Sequence, residues 1–157
     1  MFNWLKRQRT SRGFGIHSPF AYDFVVNVLR ERYMYYAYNL IKENDYRLIY
    51  RIALKFRPSQ IYSQELPEYL NNELATCRNE DNSLQFYILS SEQDIFPEQR
   101  SEYVALLLNL NKNACINQRY KTLKDNMSDY GMVFCNPDRA VIVADKNLPR
   151  QNFHINF

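Results

Sequence analysis

The side chains able to do chemistry in this chain are few and scattered. His17 and His154 are its two histidines, and Cys77, Cys115 and Cys135 its three cysteines. No HxH, HxxxH or CxxC spacing links them, so the sequence predicts no metal site; zinc ligands usually come in pairs a few residues apart. A Cys–His nucleophilic pair would have to be assembled from distant residues, and nothing local supports one. Ser18 and Ser63 stand outside any nucleophile-elbow context. Asp125 and Asp129 lie at helical spacing and could flank a site, but such pairs are more often a solvated helix face.

Two polar or aromatic groups remain. Asn136-Pro137-Asp138 follows the apolar run Met132–Cys135. Asn136 could face a substrate from the end of a strand. Asn, Pro and Asp are also the residues that β-turns prefer, and the turn is the favoured expectation. Tyr33, Tyr35, Tyr36 and Tyr38 cluster within six residues. They could form a stacking platform for a base or sugar, or pack on an apolar surface with their hydroxyls in water; the second arrangement is commoner. His17 is expected to orient the N-terminal arm through a side-chain hydrogen bond. His154, between Phe153 and Ile155, is expected on an exposed strand face.

The elements that must position these groups follow from periodicity. Ser18 can cap a helix that has Pro19 in its first turn and Phe20, Phe24, Val25, Val28 and Leu29 on one apolar face. Asp45 to Phe56 reads as a second amphipathic helix, buried along Leu48, Ile49, Ile52, Ala53 and Phe56 and ended by Pro58. A strand is predicted over 60–63, a helix from Leu66-Pro67-Glu68 to about Thr76, and a strand over 84–89. Pro97 is predicted to open a helix whose buried side is Tyr103, Val104, Leu107, Leu108 and Leu110. Ala114-Cys115-Ile116 reads as a short strand, and Lys121 to Ser128 as a helical turn or two. Strands are predicted over 132–135, 140–144 and 153–157, the last alternating apolar and polar as a half-exposed antiparallel strand does. Alternating β and α elements predict a three-layer α/β sheet with parallel strands, closed by a C-terminal antiparallel hairpin.

Within that frame the stretch from Arg57 to Pro67 matters most. It contains the first strand-to-helix turn, where a nucleotide cofactor sits in α/β folds and where glycines are needed. The chain has three glycines, Gly13, Gly15 and Gly131, and none is there.

Composition bounds the rest. A chain of 157 residues suits one domain. Aromatics make up 15%, with 13 Tyr and 10 Phe, so large rings must supply much of the burial. A net charge of +3 is too small to imply nucleic acid. Lys6, Arg7, Arg9 and Arg12 form a basic arm that could touch phosphate or lipid head groups, although such arms are more often simply solvated. An odd number of cysteines without a secretory signal predicts reduced thiols in the cytoplasm. No apolar run has the length of a membrane span.

Arg12-Gly13-Phe14-Gly15-Ile16-His17-Ser18-Pro19-Phe20 resembles the N-terminal signature, ending in G-x-G-x-H-S-P-F, of a family of class I S-adenosylmethionine (SAM)-dependent methyltransferase-like proteins from Bacteroidetes. Tyr35-Tyr36-Ala37-Tyr38, Phe56-Arg57-Pro58-Ser59-Gln60-Ile61 and Gln151-Asn152-Phe153-His154-Ile155-Asn156-Phe157 are similar to later segments of that family. The resemblance implies a Rossmann-like methyltransferase-type sheet with SAM at the end of its first strand. It places Ser63, Gln64 and Glu65 in a turn that is acidic and glycine-rich in the family. It places Leu89, with Glu92 three residues on, where a carboxylate would hold the ribose; leucine accepts no hydrogen bond. Shortened segments after Tyr38 and after Phe134 imply that at least one strand and its helix are missing, leaving five or six strands.

The expectation is one domain over 1–157, with an arm over 1–17, a helical cap over 18–56 and a reduced sheet over 57–157. Its expected function is that of a methyltransferase-like protein that has lost SAM and serves as a non-catalytic binding or structural protein. His17, Tyr35, Tyr36, Tyr38 and Asn136 would form its partner surface, toward another protein or a second copy. The alternative is an active SAM-dependent methyltransferase with an atypical cofactor pocket.

Overall fold

The computed structural model describes residues 15–64, 66–97, 102–127 and 129–157. The basic arm up to Phe14, and Glu65 of the predicted cofactor turn, lie outside the described residues. Helix α1, Pro19–Phe24, starts as its sequence dictates: Ser18 Oγ accepts from Ala21 N at 3.3 Å. It widens into a π-helical turn over Val25–Leu29, and a 3₁₀ turn follows at Tyr36–Asn39. Helix α2, Asn44–Phe56, buries Leu48, Ile49, Ile52 and Ala53, the predicted stripe. It ends on Arg57 in the left-handed region (φ 46°), the position where glycine is favoured.

The sheet then builds in sequence: β1 Gln60–Tyr62, α3 Glu68–Cys77, β2 Gln85–Leu89, β3 Tyr103–Leu107, α4 Ala114–Asn126, β4 Met132–Cys135, β5 Ala140–Ala144 and β6 Gln151–His154. Spatial order is β1-β2-β3-β5-β4-β6. Every strand points the same way except β5, which is antiparallel to both β3 and β4.

Side chains alternate between two cores. Phe86, Ile88, Val104, Leu106, Phe134 and Val141 pack against α1, α2 and α3. Tyr87, Leu89, Leu107, Val133, Cys135 and Ile142 pack against α4 through Ile116, Leu123 and the following Met127. Phe24 joins the helical cap to the sheet, its ring centroid 5.0 Å from Phe134 and 5.5 Å from Phe56. Among the described residues, no helix is long and apolar enough to cross a membrane.

Three expectations are corrected. Tyr103–Leu107 is a strand, not a helix face: all five residues are buried between two layers, and a run apolar on both sides carries no period. Ala114-Cys115-Ile116 opens a helix rather than forming a strand. Asn113 caps it, its Oδ1 accepting from Cys115 N at 2.9 Å and Ile116 N at 3.2 Å, and the helix runs on to Asn126. The last strand runs parallel to β4 instead of closing an antiparallel pair. The hairpin is β4–β5; both edges of β5 are then filled by β3 and β4, so β6 joins the outer edge of β4.

The two helical crossovers have opposite hands. View the sheet from the α1–α3 side with β1 to β4 running upward. An L-residue whose side chain points at the viewer then carries its N–H to the right. Leu108 has its side chain in this core, and its N–H reaches Leu89 O of β2 at 2.9 Å. Hence β2 lies to the right of β3, and β1 to the right of β2. The β1–α3–β2 link steps left with its helix in front, which is a left-handed crossover. The β3–α4–β4 link steps the same way with its helix behind, and is right-handed. About 98% of such crossovers are right-handed.

Two glycines at positive φ separate backbone strain from packing. Gly131 (φ +84°) precedes β4, and an added Cβ would lie 2.7 Å from Val143 O and 2.9 Å from Met127 Sδ. Gly15 (φ +78°) has nothing within 4 Å of its Cβ position. Gly15→Ala should cost about 1 kcal/mol from the left-handed backbone alone. Gly131→Ala should cost about 3 kcal/mol or more, because strain and overlap add. Urea denaturation of the two variants measures the difference; equal losses would contradict the packing at Gly131.

Candidate functional site

Parallel strands deliver their C-terminal ends to one edge, where ligands bind in α/β sheets. At this edge β1 ends on Tyr62, and Ser63 and Gln64 lead away toward α3. Strand β2 ends on Leu89 and turns through Ser90–Asp94. Asp94 folds its carboxylate back into that turn: Oδ2 accepts from the N–H groups of Ser90 and Ser91, both at 2.6 Å, and Oδ1 from Gln64 N at 3.3 Å. At 4% exposure, Asp94 is the one buried charged side chain among the described residues.

The loop carrying Asp94 is tied down from two sides. Gln64 Nε2 donates to Gln93 O at 2.6 Å. From α4, Arg119 donates through Nη1 to Asp94 O at 2.8 Å and Ser91 O at 3.5 Å, and through Nη2 to Glu92 O. Its guanidinium also lies 5.7 Å from the Phe96 ring centroid. The fixed fork of an arginine suits three carbonyls presented by one turn.

The predicted cofactor positions fare differently within this arrangement. Gln64 joins the site, but as an anchor for the loop. Ser63 is half-buried in the turn. Leu89 is fully buried in the core under α4 and presents nothing to a ligand. Glu92 is exposed, its carbonyl held by Arg119. Back along the sheet, Tyr62 and Tyr87 stack at 4.7 Å, with Tyr103, at the start of β3, edge-on to Tyr87 at 6.0 Å. Tyr87 donates its hydroxyl to Gln85 Oε1 at 2.5 Å, and Tyr62 donates to Gln60. Burial pushes the Tyr103 phenol up to about 12.

The partner-surface residues divide. Tyr38 is buried; the Arg47 guanidinium lies over its ring at 4.7 Å, and Arg51 Nη1 donates to its hydroxyl at 3.1 Å. Tyr35 packs edge-on against Tyr38 and Tyr50, and its hydroxyl donates to Glu31 at 3.3 Å. Burial, then the nearby Glu31 carboxylate, raises its pKa. Neither ring is free to stack on a ligand. Tyr36 is 92% exposed and Tyr33 77%, beside an equally open Met34. His17 is exposed, and the arm that it is expected to orient lies, up to Phe14, outside the described residues.

Asn136 is a turn residue. Its Oδ1 accepts from Asp138 N and Arg139 N, both at 2.8 Å, and its Nδ2 donates to Phe157 O at 3.1 Å. Its amide is spent on closing the β4–β5 hairpin. A cavity of about 200 Å³ lies between α1 and α2, lined by Asp23, Asn27, Tyr35, Arg51 and Lys55 among others. Its charges are already matched: Arg51 donates to Val28 O and Leu29 O, and Asp23 pairs with Lys55 at 2.5 Å, which holds its carboxyl below the usual range.

One pairing was invisible in sequence. The parallel β4–β6 register sets Cys135 opposite His154, with Sγ 3.3 Å from Nδ1. An antiparallel last strand, as its alternation suggested, would not have brought them together. The geometry resembles a nucleophilic pair, but the electrostatics oppose it. Burial raises the Cys135 thiol, outweighing the hydrogen bond from Tyr120, and a nucleophilic cysteine needs the reverse. His154 is exposed on the outer strand. Among the described residues, no group of three His, Cys, Asp or Glu side chains could hold a metal ion.

Native Cys135 should therefore resist iodoacetamide at pH 7.5, reacting about tenfold or more slowly than the half-buried Cys115, with a rate that climbs above pH 8.5. Site-resolved mass spectrometry of the alkylated protein checks this, and faster labelling of Cys135 would reinstate the Cys–His pair as a nucleophile. No protein-family model, curated protein or solved structure matches the chain.

Proposed function

We propose that this chain is a methyltransferase-like protein that has shed its SAM site and works as a non-catalytic binding or structural protein. The left-handed β1–α3–β2 link at the sheet edge carries the proposal. In a doubly wound sheet the first strand has neighbours on both sides, and the ligand lies in the crevice where strand order reverses. The helix after the first strand leads outward through a right-handed crossover. Here α3 lies on the face that suits such an outward step, yet the chain turns inward to β2. Excision of an outer strand with its following helix, leaving α3 in place, produces this topology. It also removes one wall of the crevice.

Two further observations point the same way. The turn after β1 lacks the glycine that close backbone approach requires. The N–H groups at the ends of β1 and β2 are already taken by Asp94. On this reading β2 is not the strand that follows the first in a full sheet. Leu89 and Glu92 then do not mark the ribose position, which left with the excised segment. The parallel strands β1, β2 and β3 are compatible with the Rossmann-like layout that the family resemblance implies, although its closing segment, residues 151–157, supplies a parallel strand and no hairpin. The exposed run of Tyr33, Met34, Tyr36 and Leu40 is the surface available to a protein partner or a second copy.

Titration calorimetry with SAM tests the reading. The expected result is no saturable heat at ligand concentrations up to the millimolar range. A dissociation constant tighter than about 100 μM, roughly 5.5 kcal/mol of binding, would overturn it in favour of an active enzyme with an atypical pocket.

A further inference from the structure

We propose that Asp94 is an internal ligand. Its carboxylate occupies a backbone-amide site at the ends of β1 and β2 that is built to hold a small planar carboxylate, and the segment 92–96 is the plug that delivers it. The inference rests on the reading of this edge as a vacated crevice.

The donors come from two separate places in the chain. Gln64 N belongs to the turn after β1, while Ser90 N and Ser91 N belong to the turn after β2, and all three converge on the two oxygens of one carboxylate. At a strand end such N–H groups have left the sheet ladder, and converging amides of this kind form an anion-binding concavity. Among the described residues, no cation pairs with this carboxylate. Arg119 directs its donors to the carbonyls of Ser91, Glu92 and Asp94 and so fixes the loop rather than the charge. The site therefore recognises a carboxylate by amide geometry, and the occupant supplied in cis is almost completely buried.

Asp94→Ala removes one carboxyl group and leaves a space matched to formate. The variant should melt several degrees lower than the parent chain. Sodium formate at about 0.2 M should restore at least half of that loss, while sodium chloride at the same ionic strength should not. A folded Asp94→Ala variant that formate does not stabilise beyond chloride overturns the proposal.

If Asp94→Ala folds in neither salt, Asp94→Asn decides. It keeps one acceptor oxygen, and the amide proton resonances of Ser90 and Ser91 should shift upfield from the parent chain. Unchanged resonances overturn the proposal. Failure of both variants to fold overturns it as well, since the carboxylate is then part of the fold and not a stand-in for a separable ligand. Binding of SAM to the unmodified chain would unseat the reading of the crevice and leave the formate result standing by itself, so the two failures are distinguishable.

Discussion

Strand β5 is the constraint on which the rest of this structure depends. It is inserted between β3 and β4 with both edges paired and both faces covered, and all five of its residues are buried. A strand so placed must satisfy every backbone N–H and C=O through its neighbours, because no water reaches it. Burial of Val141, Ile142 and Val143 contributes about 1.5–3 kcal/mol each, which holds the strand there. Everything beside it follows. Once β3 and β4 flank β5, the final strand takes the outer edge of β4, and it starts where the chain emerges, next to Met132. The Cys135–His154 contact is a by-product of that register.

The chain meets these demands with rings rather than with backbone freedom. Phe20, Phe24, Phe56, Phe134 and Phe153 form one connected series of ring contacts running from the first helix to the last strand. Rings of this size bury large area at little rotamer cost, and they tie the helical cap to the sheet without a long interface of small side chains. Glycine is scarce, so two left-handed positions fall to other residues, Arg57 and Asn109. Asn tolerates that conformation. Arg57 is held in it by its N–H bond to Ala53 O at 2.8 Å and by Asn82, which donates to its carbonyl at 3.0 Å.

The functional edge follows the same economy. Strand β1 is three residues long and has one neighbour, so its C-terminal end is open on one side. An open end exposes amides that need partners, and the short loop after β2 carries, five residues past Leu89, the acid that satisfies them. Arg119 then couples this loop to α4 on the other side of the turn. One carboxylate satisfies amides at the ends of both strands, so the order of this sheet end rests on a single side chain.

Much of this was legible in the sequence. Ser18 and Pro19 started the first helix, and Leu48, Ile49, Ile52 and Ala53 marked the buried face of the second. The Asn136 turn was read from local chemistry alone. These features depend on neighbours within a few residues, so the chain states them directly. The missing glycines likewise described the turn after β1 before any fold was known. What tertiary structure decided involves residues far apart or buried on every side. Tyr103–Leu107 reads as a helix face because a run apolar on both sides carries no period, and only its place between β2 and β5 makes it a strand. The direction of β6 was settled by the short link from Ala144, which delivers the chain beside Met132 at the start of β4. The hand of the β1–α3–β2 link depends on which face α3 packs against, and the occupant of the amide site on Gln64 meeting Asp94 across thirty positions of chain. Local propensity decides how a segment folds, while non-local packing and hydrogen-bond satisfaction decide what it lies against.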